Sequence, residues 1–219
     1  QVAAQEAAGL AARGHAVTVF TPRYHHFEDR QYPIPYTLYP LRPVLHYGNA
    51  AWLPQLSREL LNFDVVHLHY PFFGAVGAVW RAGRPLLVTY HMDVVGQGLL
   101  GLFFKIYTKL FLPRLIRQAN QVIVSTLDYG RSSALAPFLS AEPEKFTEVM
   151  FGVDTDRFVP AQRTPEEKII LFVAALDRAH YFKGLDVLLE ACSKFQVPSS
   201  KLIVVGDGEL RSSYERRVH

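Results

Sequence analysis

Three short runs rich in valine, isoleucine and leucine dominate the middle of the chain: DVVHLHY (64–70), PLLVTYH (85–91) and QVIVS (121–125). Each is separated from the next by a stretch long enough for a helix. Near-continuous apolar strands must be covered on both faces, and parallel strands need a crossover of a dozen or more residues between them. The intervening stretches supply those crossovers. FFGAVGAVWRAG (72–83) reads as a helix ending at Gly83, and LLGLFFKIYTKLFLPRLIRQAN (99–120) as a long helix carrying Pro113. LDYGRSSALAPFL (127–139) reads as a short helix before a last strand, FTEVM (146–150). The rhythm predicts a doubly wound α/β domain with a parallel sheet.

Upstream, VAAQEAAGLAARGH (2–15) is alanine-rich and stops at Gly14, so it reads as a helix, followed by the β-branched strand AVTVFT (16–21). The segment from Pro22 to Asn49 holds five prolines and reads as a long, partly ordered excursion with a short strand at YTLYPL (36–41). AAWLPQLSRELLNF (50–63) reads as helical, with Pro54 near its first turn. Downstream, GVDTDRFVPAQRTPEEK (152–168) has the polar, proline-containing composition of a linker. The pattern then restarts: strand IILFVAAL, helix KGLDVLLEACSKF, strand KLIVV, and a helix begun by GDGELRSSYERRVH. The domain reading is 1–160 for the first unit, lacking a leading strand, and 161–219 for the start of a second. Two βα units leave an open sheet edge and a poorly covered core, so the chain reads as cut at both ends.

Bulk properties narrow the function. A net charge of +3 without a basic tract argues against a nucleic-acid binder. The single cysteine, Cys192, excludes a disulfide framework and a cysteine metal site and suits a reducing compartment. No run spans a bilayer and no signal-peptide pattern opens the chain, so the expected location is cytoplasmic, with peripheral contact at the inner membrane surface retained. That contact would fall to the helix around GLFFKIYTKLFLPRLIRQ, whose Lys105, Lys109, Arg114 and Arg117 suit an anionic bilayer; a core-covering helix with solvated basic residues is the plainer account.

In open α/β sheets ligands gather beyond the C-terminal strand ends. There, His67 and His69 share one side of a strand, with Tyr70 turning toward the loop, and His91 and Asp93 close the neighbouring strand. Two readings stay open: a metal cluster of His67, His69, His91 and Asp93 serving a hydrolase, or a polar cleft wall for a hydroxylated substrate. For His67 the plainer account is a satisfied, partly buried histidine. In the second unit, Lys183 and Gly184 open a helix whose free N–H groups and positive dipole end suit an anion, with Arg178 and His180 close by. Gly206 and Gly208 form a tight βα turn that fails the dinucleotide fingerprint, lacking its third glycine.

Together, AARGHAVTVFT, DVVHLHYP, LVTYHMD, ANQVIVS, FGVDTDRFVP, ILFVAALDRAHYFKGLDVLLEA and LIVVGDGELR resemble, in order, retaining nucleotide-sugar-dependent glycosyltransferases of the GT-B fold and the family-four type. The resemblance implies two Rossmann-like domains, acceptor-side then donor-side. It implies His91 at the reaction centre, Lys183 and Gly184 on the donor diphosphate, and His69, Tyr70, Asp93, Gly206 and Gly208 as candidate cleft residues. The donor would be a UDP- or GDP-linked sugar, the acceptor a glycan, lipid-linked or small molecule, and the activity that of a retaining hexosyltransferase. The donor is a substrate; no metal and no cofactor is called for, because a fixed cation and helix dipole stabilise the departing diphosphate. Many relatives carry Gly-Arg where this chain has Ala174 and Ala175, which leaves Arg178 as the expected substitute. The family's first strand with its glycine loop, and its Glu-x7-Glu donor motif, are not in this sequence, so the resemblance implies a piece that does not turn over alone. A third reading is a non-catalytic module that binds glycan or nucleotide.

Overall fold

The computed structural model describes residues 2–23, 34–47, 50–96, 98–156, 158–160, 168–194 and 200–217. The remainder of the Pro22–Asn49 excursion and part of the linker, residues 161–167, lie outside the described residues. Two compact units emerge, 1–153 and 154–219.

In the first unit the apolar runs pair as a four-stranded parallel sheet in chain order: β5 (Val66–Tyr70), β6 (Leu86–Tyr90), β7 (Gln121–Val124) and β8 (Phe146–Glu148). The crossovers are α3 (Val76–Ala82), α4 (Gly98–Gln118), and a pair, α5 (Leu127–Ser132) and α6 (Ala136–Ala141). Leu86, Val88, Val122 and Val124 are fully covered, and Leu112, Leu115 and Ile116 of α4 pack into the same core. Burying each such side chain stabilises by about 1.5–3 kcal/mol before chain entropy is counted. The α3 helix ends where Gly83 takes φ +59°, a left-handed conformation costly for residues with a Cβ.

Upstream, α1 (Val2–Ala11) leads into β1 (Thr18–Pro22), which pairs in parallel with β2 (Thr37–Leu41). This pair is a separate sheet from β5–β8, and a groove of ≈ 380 Å³ lies between β1 and β5. The four-stranded sheet runs in plain sequence order, so no strand-order reversal, the mark of double winding, occurs within it among the described residues.

Two local expectations change. The stretch 50–63, read as helical with Pro54 near the first turn, instead opens as β4 (Ala50–Trp52), antiparallel to β3 (Leu45–Tyr47), and only then forms the single turn α2 (Leu56–Glu59). Pro54 disfavours helical backbone at Leu53, while the Ala51 N–H donates to the Phe73 carbonyl at 3.2 Å. Likewise 127–139 is two helices. Extended Ser133 separates them, its hydroxyl donating to the Gly130 carbonyl and accepting from the Leu135 N–H.

The second unit holds β9 (Lys168–Val173) parallel to β10 (Ser200–Val205), with α7 (Leu185–Lys194) between them in sequence and α8 (Arg211–Glu215) after them. The alternation read from sequence is therefore present. The sheet is thinly covered: among the described residues Leu176 and Leu185 are the unit's buried apolar side chains, while Leu171 and Val173 are exposed.

Candidate functional site

Strand pairing builds the histidine cluster. His67 and His69 project from the same side of β5, and the parallel register sets His69 opposite Thr89. His67 Nε2 bonds Thr89 Oγ1 at 2.7 Å, and His69 Nδ1 bonds His91 Nε2 at 2.9 Å. The rings stack as a ladder, His67 on His69 at 4.5 Å and His69 on His91 at 5.2 Å, continued by Phe151 at 5.6 Å from His91. Burial pushes both His67 and His69 down to about 4, helped for His67 by the neighbouring His91 and for His69 by His67 and His91. Burial also lowers His91. The ladder is therefore neutral near pH 7, able to donate or accept single hydrogen bonds at each ring.

The structure adds Glu6 to this cluster. Its Oε2 lies 3.7 Å from His67 Nδ1 and 3.4 Å from His69 Nε2, and burial raises its pKa. The only sequence signal for it was a lone carboxylate in an otherwise uncharged helix.

Asp93 and Tyr70 are placed differently from expectation. Asp93 accepts hydrogen bonds from the Tyr90 hydroxyl and from the Ala134 N–H at 3.1 Å, while its own N–H donates to the Tyr129 hydroxyl at 2.8 Å. It thus braces the loop after β6 to α5 and α6. Burial, with Asp93 nearby, holds the Tyr90 hydroxyl in its neutral form. The four-residue metal cluster that was one of the two open readings is consequently not assembled: Asp93 turns away, and the His91 nitrogen nearest the other histidines is occupied by His69. Tyr70, expected to turn into the loop, is 1% exposed and stacks on Tyr90 at 5.0 Å, a core side chain ahead of the cis Tyr70–Pro71 bond.

In the second unit, residues 178–183 form a tight 3-10 turn capped by Asp177, whose carboxylate accepts from the His180 N–H at 3.0 Å and meets His180 Nδ1 at 2.7 Å. Lys183 was expected within the first turn of the helix; it ends this preceding turn instead. Gly184, at φ +79°, carries the direction change, and its carbonyl accepts from the Leu188 N–H to start α7. Arg178 is engaged with Glu209, its backbone N–H at 3.2 Å and its guanidinium at 3.7 Å. Lys183 lies over the Phe182 ring at 5.3 Å and has no carboxylate partner among the described residues. Of the three expected cations, it alone stays uncommitted.

Gly206 and Gly208 have a packing reason to be glycine. A Cβ on Gly206 would meet the Ala174 carbonyl oxygen at 1.9 Å, and Gly208, at φ +153°, abuts the Leu176 backbone. The loops after β9 and β10 are zipped by Leu176 N–H to Asp207 O at 2.9 Å and Leu210 N–H to Leu176 O at 2.8 Å.

The long helix α4 is divided. Its C-terminal half covers the core, while Leu99, Leu102, Phe103, Ile106 and Leu110 are exposed beside Lys105 and Lys109. No helix among the described residues is long and apolar enough to cross a membrane.

Comparison with known proteins places the first unit. The chain is 28% identical over 165 residues to an O-antigen chain mannosyltransferase of Escherichia coli, covering 71% of this chain and 41% of that protein. It is 29% identical over 166 residues to a D-rhamnosyltransferase of Pseudomonas aeruginosa, covering 71% and 40%, respectively. It is 30% identical over 160 residues to a D-inositol 3-phosphate glycosyltransferase of Geodermatophilus obscurus, covering 66% and 34%. The matched stretch thus spans about a third to two fifths of these relatives' lengths. The family model for Glycosyltransferase Family 4 matches residues 1–157, most of the chain, and the chain belongs to that family.

Proposed function

We propose that this chain carries the acceptor-side unit and the opening of the donor-side unit of a retaining glycosyltransferase. The enzyme moves a hexose from a UDP- or GDP-linked donor to a glycan or lipid-linked acceptor. The observation that carries this reading is the neutral His69–His91 pair at the C-terminal ends of two parallel strands, where open α/β sheets bind ligands, in a chain of this family. The relatives named as mannosyl-, rhamnosyl- and inositol-phosphate glycosyltransferases support the sugar-transfer class.

His91 faces the transferred sugar, and its neutral ring hydrogen-bonds a sugar hydroxyl as positive charge develops at the anomeric carbon. Lys183 and the α7 N-terminus, reached through Gly184, take the donor diphosphate. As the glycosidic bond breaks, the leaving oxygen gains charge, and a fixed ammonium with aligned N–H groups stabilises that charge most at the transition state. Arg178 assists only by leaving Glu209. The exposed apolar half of α4, with Lys105 and Lys109, rests on an anionic bilayer at the cytoplasmic surface and brings the enzyme to lipid-linked acceptors.

Saturation-transfer NMR on this chain with UDP, GDP and their hexose conjugates tests the donor assignment. Binding lost in Lys183→Ala is expected; binding unchanged in that variant rejects the diphosphate seat. Arg178→Ala is expected to weaken binding less than Lys183→Ala does. Hexose transfer by the protein bearing this chain, compared with its His91→Ala form, tests catalysis. Nucleotide or glycan binding without transfer would favour a binding module. Co-flotation with phosphatidylglycerol vesicles, abolished in Leu99→Asp/Phe103→Asp, is expected for the bilayer contact; no flotation of the parent chain rejects it.

A further inference from the structure

We propose that Glu6, His67 and His69 form a binding site for a divalent transition metal, best suited to zinc. The three candidate ligand atoms lie within 4.8 Å of one another. Glu6 Oε2 is enclosed and has no hydrogen-bond partner, although it faces both histidines. A buried carboxylate oxygen left unpaired is costly, so its place between two rings calls for something to sit there.

The outer nitrogens of both rings are already used, His67 Nε2 by Thr89 and His69 Nδ1 by His91. A neutral imidazole carries one N–H. With those protons outward, His67 Nδ1 and His69 Nε2 present bare lone pairs to Glu6. The opposite arrangement gains little, because Glu6 Oε2 makes no hydrogen bond to either ring. Three lone-pair donors converging without a proton among them repel one another, and a cation relieves that.

Geometry selects the cation. Zinc bonds nitrogen and carboxylate oxygen at about 2.0–2.1 Å in a tetrahedron, which sets ligand atoms about 3.3 Å apart. Glu6 Oε2 lies 3.4 and 3.7 Å from the two ring nitrogens, near that spacing, all three donors fall within 4.8 Å of one another, and the stacked imidazoles must turn to aim both lone pairs at one ion. Thr89 and His91 already act as the outer partners that orient metal-bound histidines. The fourth position of the tetrahedron is left to a water ligand. Occupancy also fixes the His69 proton on Nδ1, donated to His91 Nε2. That consequence for His91 rests on the proposed function, whereas the metal site does not.

The chain, dialysed against EDTA and then into buffer, is titrated with ZnCl2 by calorimetry and with CoCl2 by visible absorption. One ion per chain and the intense visible bands of four-coordinate cobalt are expected. Glu6→Gln and His69→Gln should each weaken zinc at least about 100-fold, and Thr89→Val, which removes an outer partner, about 10–100-fold. His180→Gln, removing a histidine–carboxylate pair in the second unit, should leave it unchanged. Circular dichroism verifies folding, and the cobalt spectrum of the unmutated chain stands even where a variant fails to fold. No saturable binding, a weak six-coordinate cobalt spectrum, or zinc affinity unchanged in Glu6→Gln and Thr89→Val overturns the proposal.

Discussion

The two units use the same βα alternation with opposite results for their cores. In the first, β6 and β7 lie inside the sheet, and Val88, Val122 and Val124 are fully buried under α3–α6. In the second, β9 and β10 pair only with each other among the described residues, and Leu171 is 61% exposed. The sequences of the strands are equally apolar; what differs is the number of neighbours and covering helices. A parallel strand is stabilised by what packs on both faces, not by its own composition.

Hydrogen exchange offers the largest contrast. Amides of β6 and β7 should exchange about a thousandfold more slowly than those of β9 and β10, and equal protection would break the comparison. Next, Leu115→Ala in α4 should cost about 2–5 kcal/mol in urea unfolding followed by tryptophan fluorescence. Both tryptophans, Trp52 and Trp80, lie in the first unit, so this signal reports that unit. Asp93→Ala should cost the first unit about 1–3 kcal/mol by stranding the Ala134 N–H and the Tyr90 hydroxyl. The smallest effect belongs to Leu171→Ala in the second unit, within about 0.5 kcal/mol by hydrogen exchange of the β9 and β10 amides; a cost near that of Leu115→Ala would show its exposed face to be covered after all.

Acid should also separate the units. His67 and His69 have folded pKa values of about 4, below the ordinary histidine value of 6.5. Between those values the unfolded chain binds more protons, so stability falls as pH falls. In EDTA-treated protein, the first unit's contribution from these rings is fully present above about pH 6.5 and is lost on acidification toward pH 4. Thermal melts read by fluorescence should drop through this window, and less steeply in His67→Gln/His69→Gln if that variant folds.

The strands were legible because apolar runs bounded by glycine and polar stretches leave few alternatives. Gly83 marked the α3 end correctly, since left-handed backbone there favours a residue without a Cβ. The β4 segment was misread because Ala, Leu and Glu favour helix locally, whereas β3 and Phe73 supply partners from elsewhere in the chain. In the candidate site, spacing alone put His67 and His69 on one side of β5. Glu6 stayed hidden because it lies some sixty residues away, on a helix with no other charge. The bonds of Asp93 were not legible, because its two-residue spacing from His91 says nothing about Tyr129 or Ala134, which decide where its carboxylate points.

By itself, then, the sequence determined the order of the parallel strands and their crossovers, the family and the histidines at the strand ends, since each depends on short-range pattern. Only the tertiary structure decided that Asp93 is a brace, that Tyr70 is core, that Arg178 is held by Glu209 and that Glu6 faces two imidazoles. Those outcomes depend on which side chains meet across long separations, where packing and the pairing of buried polar groups outweigh any local preference.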